Sequence, residues 1–265
     1  MPGERTSALE KARRCALAAF DCLTREGGRI IRRMARVFEK WTVLPHGPIE
    51  KLTENLWRVE GTMPDPNIRR VMTIARMKDG RLVIHNGVAL EDRLMSEIEQ
   101  FGTPAVIVVP NGFHRQDAKI YKDRYPAAAV YAPSAAVKKV AEIVPVSGDY
   151  TQAPKDDTVQ LLHLEGCKGT EGVLEVKSQD GTTLVFNDVI FNIPKRRGLF
   201  GFLLAPTGKP AVPRVSRWML LKSKPAFVDH VNRMATPDVR RVILSHGSML
   251  TEQPGETLKR VVAEA

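Results

Sequence analysis

Three short apolar runs, rich in β-branched residues, each lead directly into polar residues that include a His or an Asp. The runs are residues 105–110, followed by Asn111-Gly112-Phe113-His114-Arg115-Gln116-Asp117; residues 183–186, followed by Asn187-Asp188; and residues 239–244, followed by Ser245-His246-Gly247. Apolar runs of this length and composition are typical of buried strands. The polar residues are therefore expected at the ends of strands, where the chain leaves the core and can line a cleft.

The composition indicates one main globular domain. The chain has 265 residues, of which 43% are apolar and 26% charged, enough to bury one large core. No apolar run approaches the roughly 18 residues of a membrane-spanning helix, and the start of the sequence lacks the pattern of a secretory signal. The three cysteines, Cys15, Cys22 and Cys167, are an odd number at unrelated spacings, which favours free thiols. We therefore expect a cytoplasmic protein.

The net charge of +10 is concentrated in two places. Residues 1–45 contain ten Lys or Arg against five Asp or Glu, which leaves +5. The second basic set lies in a Gly/Pro-rich segment and consists of Lys195, Arg196, Arg197, Lys209, Arg214 and Arg217. Neither set is accompanied by an aromatic-basic RNA signature or a zinc-finger spacing. A solvated basic surface is therefore favoured over nucleic-acid binding.

The first 45 residues read as a helical basic leader. Two helical patterns flank Gly27-Gly28, and in the second, residues 29–41, an apolar stripe faces a row of arginines. The stripe consists of Ile30, Ile31, Met34, Val37, Phe38 and Trp41. Such a helix can pack on its own domain or on a second subunit, which is the favoured interpretation, or lie on an anionic bilayer as a peripheral contact. Residues 44–48 (LPHGP) read as the linker, so the main domain is predicted to span residues 46–265.

The main domain opens as a β-meander and continues with alternating helices and strands. Strands are predicted at residues 52–60, 70–77 and 81–85, three more within 161–192, and others at 105–110, 128–131 and 239–244. Helices are predicted at residues 89–101, 119–125, 134–143, 218–221, 224–234 and 256–263. Residues 193–217 read as a long loop with an apolar middle, either a lid over a site or a partner surface. The pattern is that of an α/β protein with mixed sheets and outer helices.

The order of these segments resembles the metallo-β-lactamase superfamily. The matching segments run from about residue 52 to residue 247 and include NLWRVEG, LVIHNG, VIVVPN, GCKGTEGVLEV, TTLVFNDVIFN and VILSHG. The resemblance implies an α/β (α+β) fold, a four-layer αββα sandwich of two mixed sheets with helices on both outer faces. It also implies a metal site at the strand ends, with Asp188 as the bridging carboxylate and His246 as a ligand. Cys167 stands where that superfamily usually has a middle histidine ligand.

Two motifs depart from the superfamily pattern. Its His-x-His-x-Asp-His motif should follow Val109, where this chain has Asn111, His114 and Asp117. Its Asp-Thr-Gly step is replaced by His85-Asn86-Gly87. Only one imidazole therefore remains in the segment that usually supplies several metal ligands.

The surviving residues are sufficient for one metal ion. A hydrolytic zinc centre needs about three protein ligands and one open position. The candidate metal ligands are His114, Asp188, His246 and Cys167, and the candidate catalytic carboxylates are Asp117 and Asp188. We expect a single divalent metal, with zinc favoured and iron or manganese as alternatives. Each residue also has a purely structural interpretation, as a loop histidine, a backbone cap, a turn residue or a buried thiol.

Two functions from different classes follow from this sequence. The first is a metal-dependent hydrolase with a reduced, mononuclear site and an unknown small-molecule substrate. The second is a catalytically inactive member of the same fold that binds no metal, whose basic loop and leader bind an acidic partner or a membrane surface. A serine nucleophile at Ser245 is disfavoured because no Gly-x-Ser-x-Gly elbow is present, and no phosphate-binding glycine motif indicates a nucleotide cofactor.

Overall fold

The computed structural model describes residues 37–63 and 68–265 of the chain. In this part of the chain, seven strands form the first sheet in the order β1-β2-β3-β4-β5-β6-β7. Neighbours β1 to β4 pair antiparallel and β4 to β7 pair parallel, so this sheet is mixed. Its strands are β1 (Glu50–Thr53), β2 (Leu56–Thr62), β3 (Arg69–Arg76), β4 (Arg81–His85), β5 (Thr103–Val108), β6 (Ala129–Ala132) and β7 (Gly148–Asp149).

Four strands form the second sheet. They are β8 (Val159–His163), β9 (Gly172–Ser178), β10 (Gly181–Phe186) and β11 (Val239–Leu244). Their order is β11-β10-β9-β8, with β10 and β11 parallel and the other pairs antiparallel. The second sheet is therefore mixed as well, as the sequence predicts.

The helices cover the outer faces of the two sheets. They are α1 (Asp92–Phe101), α2 (Ala118–Arg124), α3 (Val137–Val140), α4 (Gly198–Leu203), α5 (Arg214–Met219), α6 (Lys224–Met234) and α7 (Pro254–Ala263), with a short 3-10 turn at Ser134–Ala136. In the first half, Met95 and Ile98 of α1 pack in the same cluster as Ile84 of β4. In the second half, Phe227 of α6 packs with Phe186 of β10.

The alternation of side chains along the strands builds the layers. Ile84 of β4 faces the helices of the first half, whereas its neighbour Val83 belongs to a cluster shared with the second sheet. Phe186 and Val185 of β10 divide in the same way between the outer cluster and the shared one. Because successive strand residues point to opposite faces, each sheet has one face on the other sheet and one under helices. The predicted αββα sandwich is confirmed.

Two predicted elements differ from the structure. Residues 52–60 are predicted as one strand but form the β1–β2 hairpin, since Asn55 turns inward and its side chain bonds to the Lys177 carbonyl at 2.9 Å. The sequence does not reveal this turn, because the alternation of apolar and polar residues continues through it. Residues 193–217 are predicted as a loop but contain α4 and begin α5, because the prolines lie outside the two short helices or just before them, as Pro213 does at the start of α5.

The described end of the leader packs on the domain. Residues 37–41 are not helical, which corrects the predicted helix of residues 29–41 at its carboxyl end. Phe38 is buried in the helix-side cluster of the first sheet, and Trp41 donates a hydrogen bond from Nε1 to the Leu90 carbonyl at 2.8 Å. The remainder of the predicted leader, residues 1–36, lies outside the described residues. Within the described residues, no helix combines the length and apolar character needed to cross a bilayer.

Candidate metal centre

Three of the predicted site residues meet at the strand ends. Asp188 lies two residues beyond β10 and His246 two residues beyond β11, and these strands are parallel neighbours. His114 reaches them from the loop after β5 of the other sheet. One ligand atom from each residue lies within 4.8 Å of the others. The three side chains therefore meet between the two sheets, at the carboxyl ends of β5, β10 and β11.

The distances within this group are short. His114 Nε2 is 3.0 Å from Asp188 Oδ1, and His246 Nε2 is 3.2 Å from the same oxygen. The two Nε2 atoms are 3.2 Å apart. One carboxylate oxygen and two imidazole nitrogens therefore converge on one point.

The outer ring nitrogens fix the orientation of both imidazoles. His114 Nδ1 lies 2.9 Å from Asn86 Oδ1, which is an acceptor because the Asn86 amide nitrogen donates to the Val71 carbonyl. His246 Nδ1 lies 2.7 Å from the Arg69 carbonyl, which can only accept. Both Nδ1 atoms must therefore carry the proton of the neutral ring. Both Nε2 lone pairs then point towards Asp188 Oδ1.

The spacing of these three electron-pair donors can be compared with what a shared cation needs. Without a proton or a metal ion between them, the carboxylate and the two lone pairs repel one another in a buried site. Ligands about 2.0–2.1 Å from a tetrahedral zinc lie about 3.3 Å apart, close to the observed separations. Two nitrogen donors and one oxygen donor also suit a borderline metal such as zinc. The residues present therefore fit a single divalent ion.

The electrostatics of the group favour the protonation states of metal ligands. Burial raises the pKa of Asp188, but the attraction of this carboxylate to His114 and His246 in their protonated forms outweighs this effect and holds that pKa well below its usual range. For His114, burial lowers the pKa and the charge of Asp188 offsets only part of the decrease. An ionised carboxylate and a neutral imidazole are the forms that bind a metal.

Asn111 connects the carboxylate to the loop that carries His114. Its Nδ2 donates to Asp188 Oδ2 at 2.7 Å and to Glu171 Oε1 at 2.8 Å. Its Oδ1 accepts from the backbone amides of Phe113 and His114 at 2.8 and 3.1 Å. Every hydrogen-bonding group of this amide is used. Asn111 thereby holds Asp188 so that Oδ1, and not Oδ2, faces the imidazoles.

The sequence interpretation missed Glu171, a buried carboxyl that lies beside the three-residue group. It directly precedes β9, is fully buried, and accepts the Asp188 backbone amide at Oε2 over 3.2 Å. Burial and the charge of Asp188 raise the pKa of Glu171 well above its usual range. The motif GCKGTEG placed it near the site, but a Glu on a loop is most often exposed. Its contacts with Asn111 and with the Asp188 backbone amide, both distant in the sequence, identify it.

Two backbone positions support the ligands. Asn86, which orients His114, has a φ of 58°, a left-handed conformation that asparagine tolerates better than most residues. Gly247, directly after His246, has a φ of 100°, and a Cβ there would lie 2.0 Å from the Asn192 carbonyl oxygen. A side chain at residue 247 would therefore push the His246 loop away from its neighbour.

Asp117 does not join the three-residue group. It forms a buried ion pair with Arg70, with Oδ2 2.5 Å from Nη2, and its Oδ1 accepts the Ala89 amide at 3.0 Å. Burial raises the pKa of Asp117, and the Arg70 guanidinium and the Ala89 amide oppose this increase. Both carboxylate oxygens are thus used in holding the loop after β5 against β3 and the segment after β4.

Cys167 also lies outside the group. Its backbone bridges to Leu221, and its side chain packs at the edge of the helix-side cluster of the second sheet. Burial, followed by the charge of Glu171, raises the pKa of the Cys167 thiol to about 12. A thiol with such a pKa is protonated near neutral pH and is inert.

His85, the last residue of β4, is buried near the group. Burial, with a smaller contribution from the charge of His114, lowers the pKa of His85 to about 3. Its Nδ1 has no hydrogen-bond partner among the described residues. His85 is therefore a neutral side chain over the ordinary pH range.

Solved structures of metallo-β-lactamases share this architecture. The DIM-1 enzyme exposed to ceftazidime superposes with a TM-score of 0.58 at 14% identity, covering 84% of this chain and 99% of that one. The enzyme of Hirschia baltica gives 0.56 at 13% identity, over 82% and 98% of the two chains. The enzyme of Pontibacter korlensis gives 0.57 at 12% identity, over 82% and 99%. This chain has the metallo-β-lactamase fold.

The likeness extends to the fold and not to the sequence. No family model matches this chain, and no curated protein matches it. At such low identity the metallo-β-lactamase fold says nothing by itself about the reaction. The function must be inferred from the three-residue group and its surroundings.

Proposed function

We propose that this chain is a metal-dependent hydrolase with a single divalent metal ion held by His114, Asp188 and His246. The observation that supports the proposal is the convergence of two Nε2 lone pairs and one carboxylate oxygen within 3.0–3.2 Å. Zinc is the metal we favour, since two imidazoles and a carboxylate form one of its usual ligand sets, with iron and manganese as alternatives.

The residues around the ligands have positioning roles in this proposal. What a divalent ion supplies at a three-ligand site is Lewis acidity and a water whose pKa falls towards about 7. Asn86 and the Arg69 carbonyl keep the Nδ1 protons in place, so that the Nε2 atoms remain available. Asn111 holds the Asp188 carboxylate by Oδ2. Partners of this kind typically change metal affinity by about 10–100-fold when removed.

The proposal keeps Asp188 and leaves out two residues that the sequence suggested, Asp117 and Cys167. Asp188 keeps both its roles, as a ligand and as the carboxylate nearest the reacting position. We give Asp117 no part in the reaction, because its oxygens already bind Arg70 and the Ala89 amide. Cys167 is likewise left out of the ligand set, because it is not a member of the group.

A catalytically inactive binding protein is the second candidate, and one observation favours it. The ligand side chains are nearly closed to solvent, with 14% of the Asp188 side chain exposed and none of that of His246. A substrate would need an approach to Asp188. An inactive protein with this fold would retain the group as a structural element only.

Hydrolysis assays distinguish the two candidates. Metal-free protein would be reloaded with zinc, manganese or iron(II) and tested on chromogenic carboxylic esters, phosphoric esters and β-lactams. The proposal predicts metal-dependent turnover of at least one class, which Asp188→Asn abolishes. The matched control is Asp229→Asn, since Asp229 is an exposed carboxylate on α6. Turnover that survives Asp188→Asn, or that is equal with and without metal, would refute the hydrolase assignment.

A further inference from the structure

The segment that contains α4 and α5 is unusually basic. Residues 193–228 contain eight Lys or Arg and no Asp or Glu. The net charge of the whole chain is +10, so this segment alone accounts for most of it. Four of the eight, Lys195, Arg197, Lys222 and Lys224, are exposed and form no ion pair with a carboxylate among the described residues, whereas Lys209 pairs with Glu264 at 2.7 Å.

The same segment exposes large apolar side chains. Phe202 of α4 is 52% exposed, and Trp218 and Met219 of α5 are 61% and 42% exposed. The Arg214 guanidinium lies 4.4 Å from the centre of the Phe202 ring. Trp218 follows Arg214 by one helical turn, so these side chains share a surface. We call Phe202, Arg214, Trp218 and Met219 the α4–α5 face.

The α4–α5 face is held firmly beside the metal centre. Ser216 of α5 is buried, and its hydroxyl donates to the Asp188 carbonyl at 2.5 Å. The Lys168 ammonium donates to the Trp218 carbonyl at 2.9 Å and adds another positive charge next to the face. These contacts attach α5, and with it the exposed Trp218 side chain, to the segment that carries Asp188 and to the loop after β8.

The charge decides what can cover this face. A second copy of the face would bring two strongly positive surfaces together, and the leader carries a net charge of +5 over residues 1–45. Both would be repelled, so the occupant must be anionic. The exposed Trp, Phe and Met side chains in addition favour an occupant that offers an apolar layer next to its negative charges.

We propose that the α4–α5 face docks on the surface of an anionic lipid bilayer. Trp and Phe would enter the boundary between headgroups and acyl chains, and the surrounding Lys and Arg would contact the lipid phosphates. Trp is well suited to this position because its ring is apolar and its N–H remains in the wet layer. This inference does not depend on the proposed hydrolase activity and can fail or succeed separately.

Trp218 provides a direct spectroscopic test. Trp57 is 8% exposed and Trp41 packs against the helix-side cluster, so Trp218 is the most exposed of the three tryptophans. Adding phosphatidylcholine–phosphatidylglycerol vesicles to the full-length protein should shift the tryptophan fluorescence to shorter wavelength. Vesicles that contain brominated lipids should quench this fluorescence. Trp218→Phe should lose this response. A response that persists in Trp218→Phe would overturn the proposal.

Cosedimentation with the same vesicles tests the charges. Each Lys or Arg near an anionic surface strengthens binding roughly fivefold, so Lys195→Gln/Arg197→Gln should weaken it about 30-fold. The matched control is Arg93→Gln, an exposed arginine on α1 beside the first sheet, which should bind like the wild type. Raising the salt from about 0.1 M to about 1 M shortens the screening length from about 10 to 3 Å and should release the protein.

Several outcomes would contradict membrane docking by this face. Equal binding to pure phosphatidylcholine vesicles would remove the role of the charges. Unchanged binding by Lys195→Gln/Arg197→Gln would assign the contact to another part of the chain, such as the leader. Binding to single-stranded RNA without binding to vesicles would assign the face to nucleic acid. Melting temperatures should be unchanged in all variants, because the substituted side chains are exposed.

Discussion

The buried ion pair between Arg70 and Asp117 gives a prediction whose size follows from the structure. Arg70 and Asp117 are 3% and 2% exposed, and their charged atoms lie 2.5 Å apart. Removing one partner leaves the other charge buried and unpaired, which typically costs about 3–5 kcal/mol. Arg70→Met and Asp117→Asn should each lower the free energy of unfolding by about that amount. This is a large share of the roughly 5–15 kcal/mol that stabilises a typical domain.

The double variant separates the pair from its surroundings. In Arg70→Met/Asp117→Asn the two charges are gone, while the Asn side chain can still accept the Ala89 amide. Replacing a buried pair by an uncharged one is often close to neutral, so the double variant should be more stable than either single variant. Because each single substitution costs about 3–5 kcal/mol and the double variant costs less than either, the expected coupling energy exceeds about 3 kcal/mol, above the usual range for residues in contact.

The assay is urea unfolding of metal-free protein at pH 7, so that metal binding does not contribute to stability. Arg69→Met is the matched control, since Arg69 is the neighbouring residue and its side chain is 61% exposed in a 2.6 Å pair with Glu60. An exposed pair contributes about 0–1 kcal/mol. The reasoning is refuted if Arg70→Met costs no more than Arg69→Met, or if the effects of the two buried substitutions simply add.

Three further predictions concern individual residues near the metal centre. Asn111→Ala should lower metal affinity about 10–100-fold, measured by competition with a chromogenic chelator, because Asp188 loses its support; unchanged affinity would contradict that role. Cys167→Ala should leave metal affinity within about twofold in the same assay, and a larger loss would restore the thiol as a ligand. His85 has a folded-state pKa of about 3 against about 6.5 when unfolded, so only the unfolded chain gains its proton between those values. The free energy of unfolding should therefore fall with decreasing pH below about 6.5, by up to about 1.4 kcal/mol per pH unit. In urea unfolding, His85→Leu should show a shallower decrease than the wild type, and parallel pH curves would contradict this role of His85.

The strand ends were the part of the site that the sequence could reveal. Residues 239–244 were predicted as a strand with the bounds that β11 has, and His246 followed from that prediction. Asp188 and His114 were found by the same reasoning, because an apolar run that stops on polar residues indicates a buried strand leaving the core. The order of such runs indicates an α/β protein with mixed sheets, and the resemblance to the metallo-β-lactamase superfamily implies the αββα sandwich, which the structure confirms.

The remaining features depend on contacts between distant parts of the chain. The partner of Asp117 is Arg70, which lies 47 residues earlier, so the sequence pattern could not distinguish a structural carboxylate from a catalytic one. Glu171 is likewise identified by its contacts with Asn111, 60 residues before it, and with the Asp188 amide, 17 residues after it. Prolines and glycines, which mark loops in most sequences, hide α4 and the first residues of α5, whereas the end of α5 falls within the predicted helix of residues 218–221. In the structure the prolines lie outside the two short helices, whereas Gly198 and Gly201 lie within α4.

The metal stoichiometry of protein purified without chelator tests the proposed centre most directly. Elemental analysis should find about one divalent ion per chain in the wild type, and cobalt(II) added to metal-free protein should saturate at one equivalent. His246→Ala should lose the ion, whereas His230→Ala, which alters a half-buried histidine outside the group, should retain it. A wild-type protein that neither retains nor takes up a divalent ion, or a His246→Ala variant that remains fully loaded, would contradict the assignment of His114, Asp188 and His246 as a metal centre.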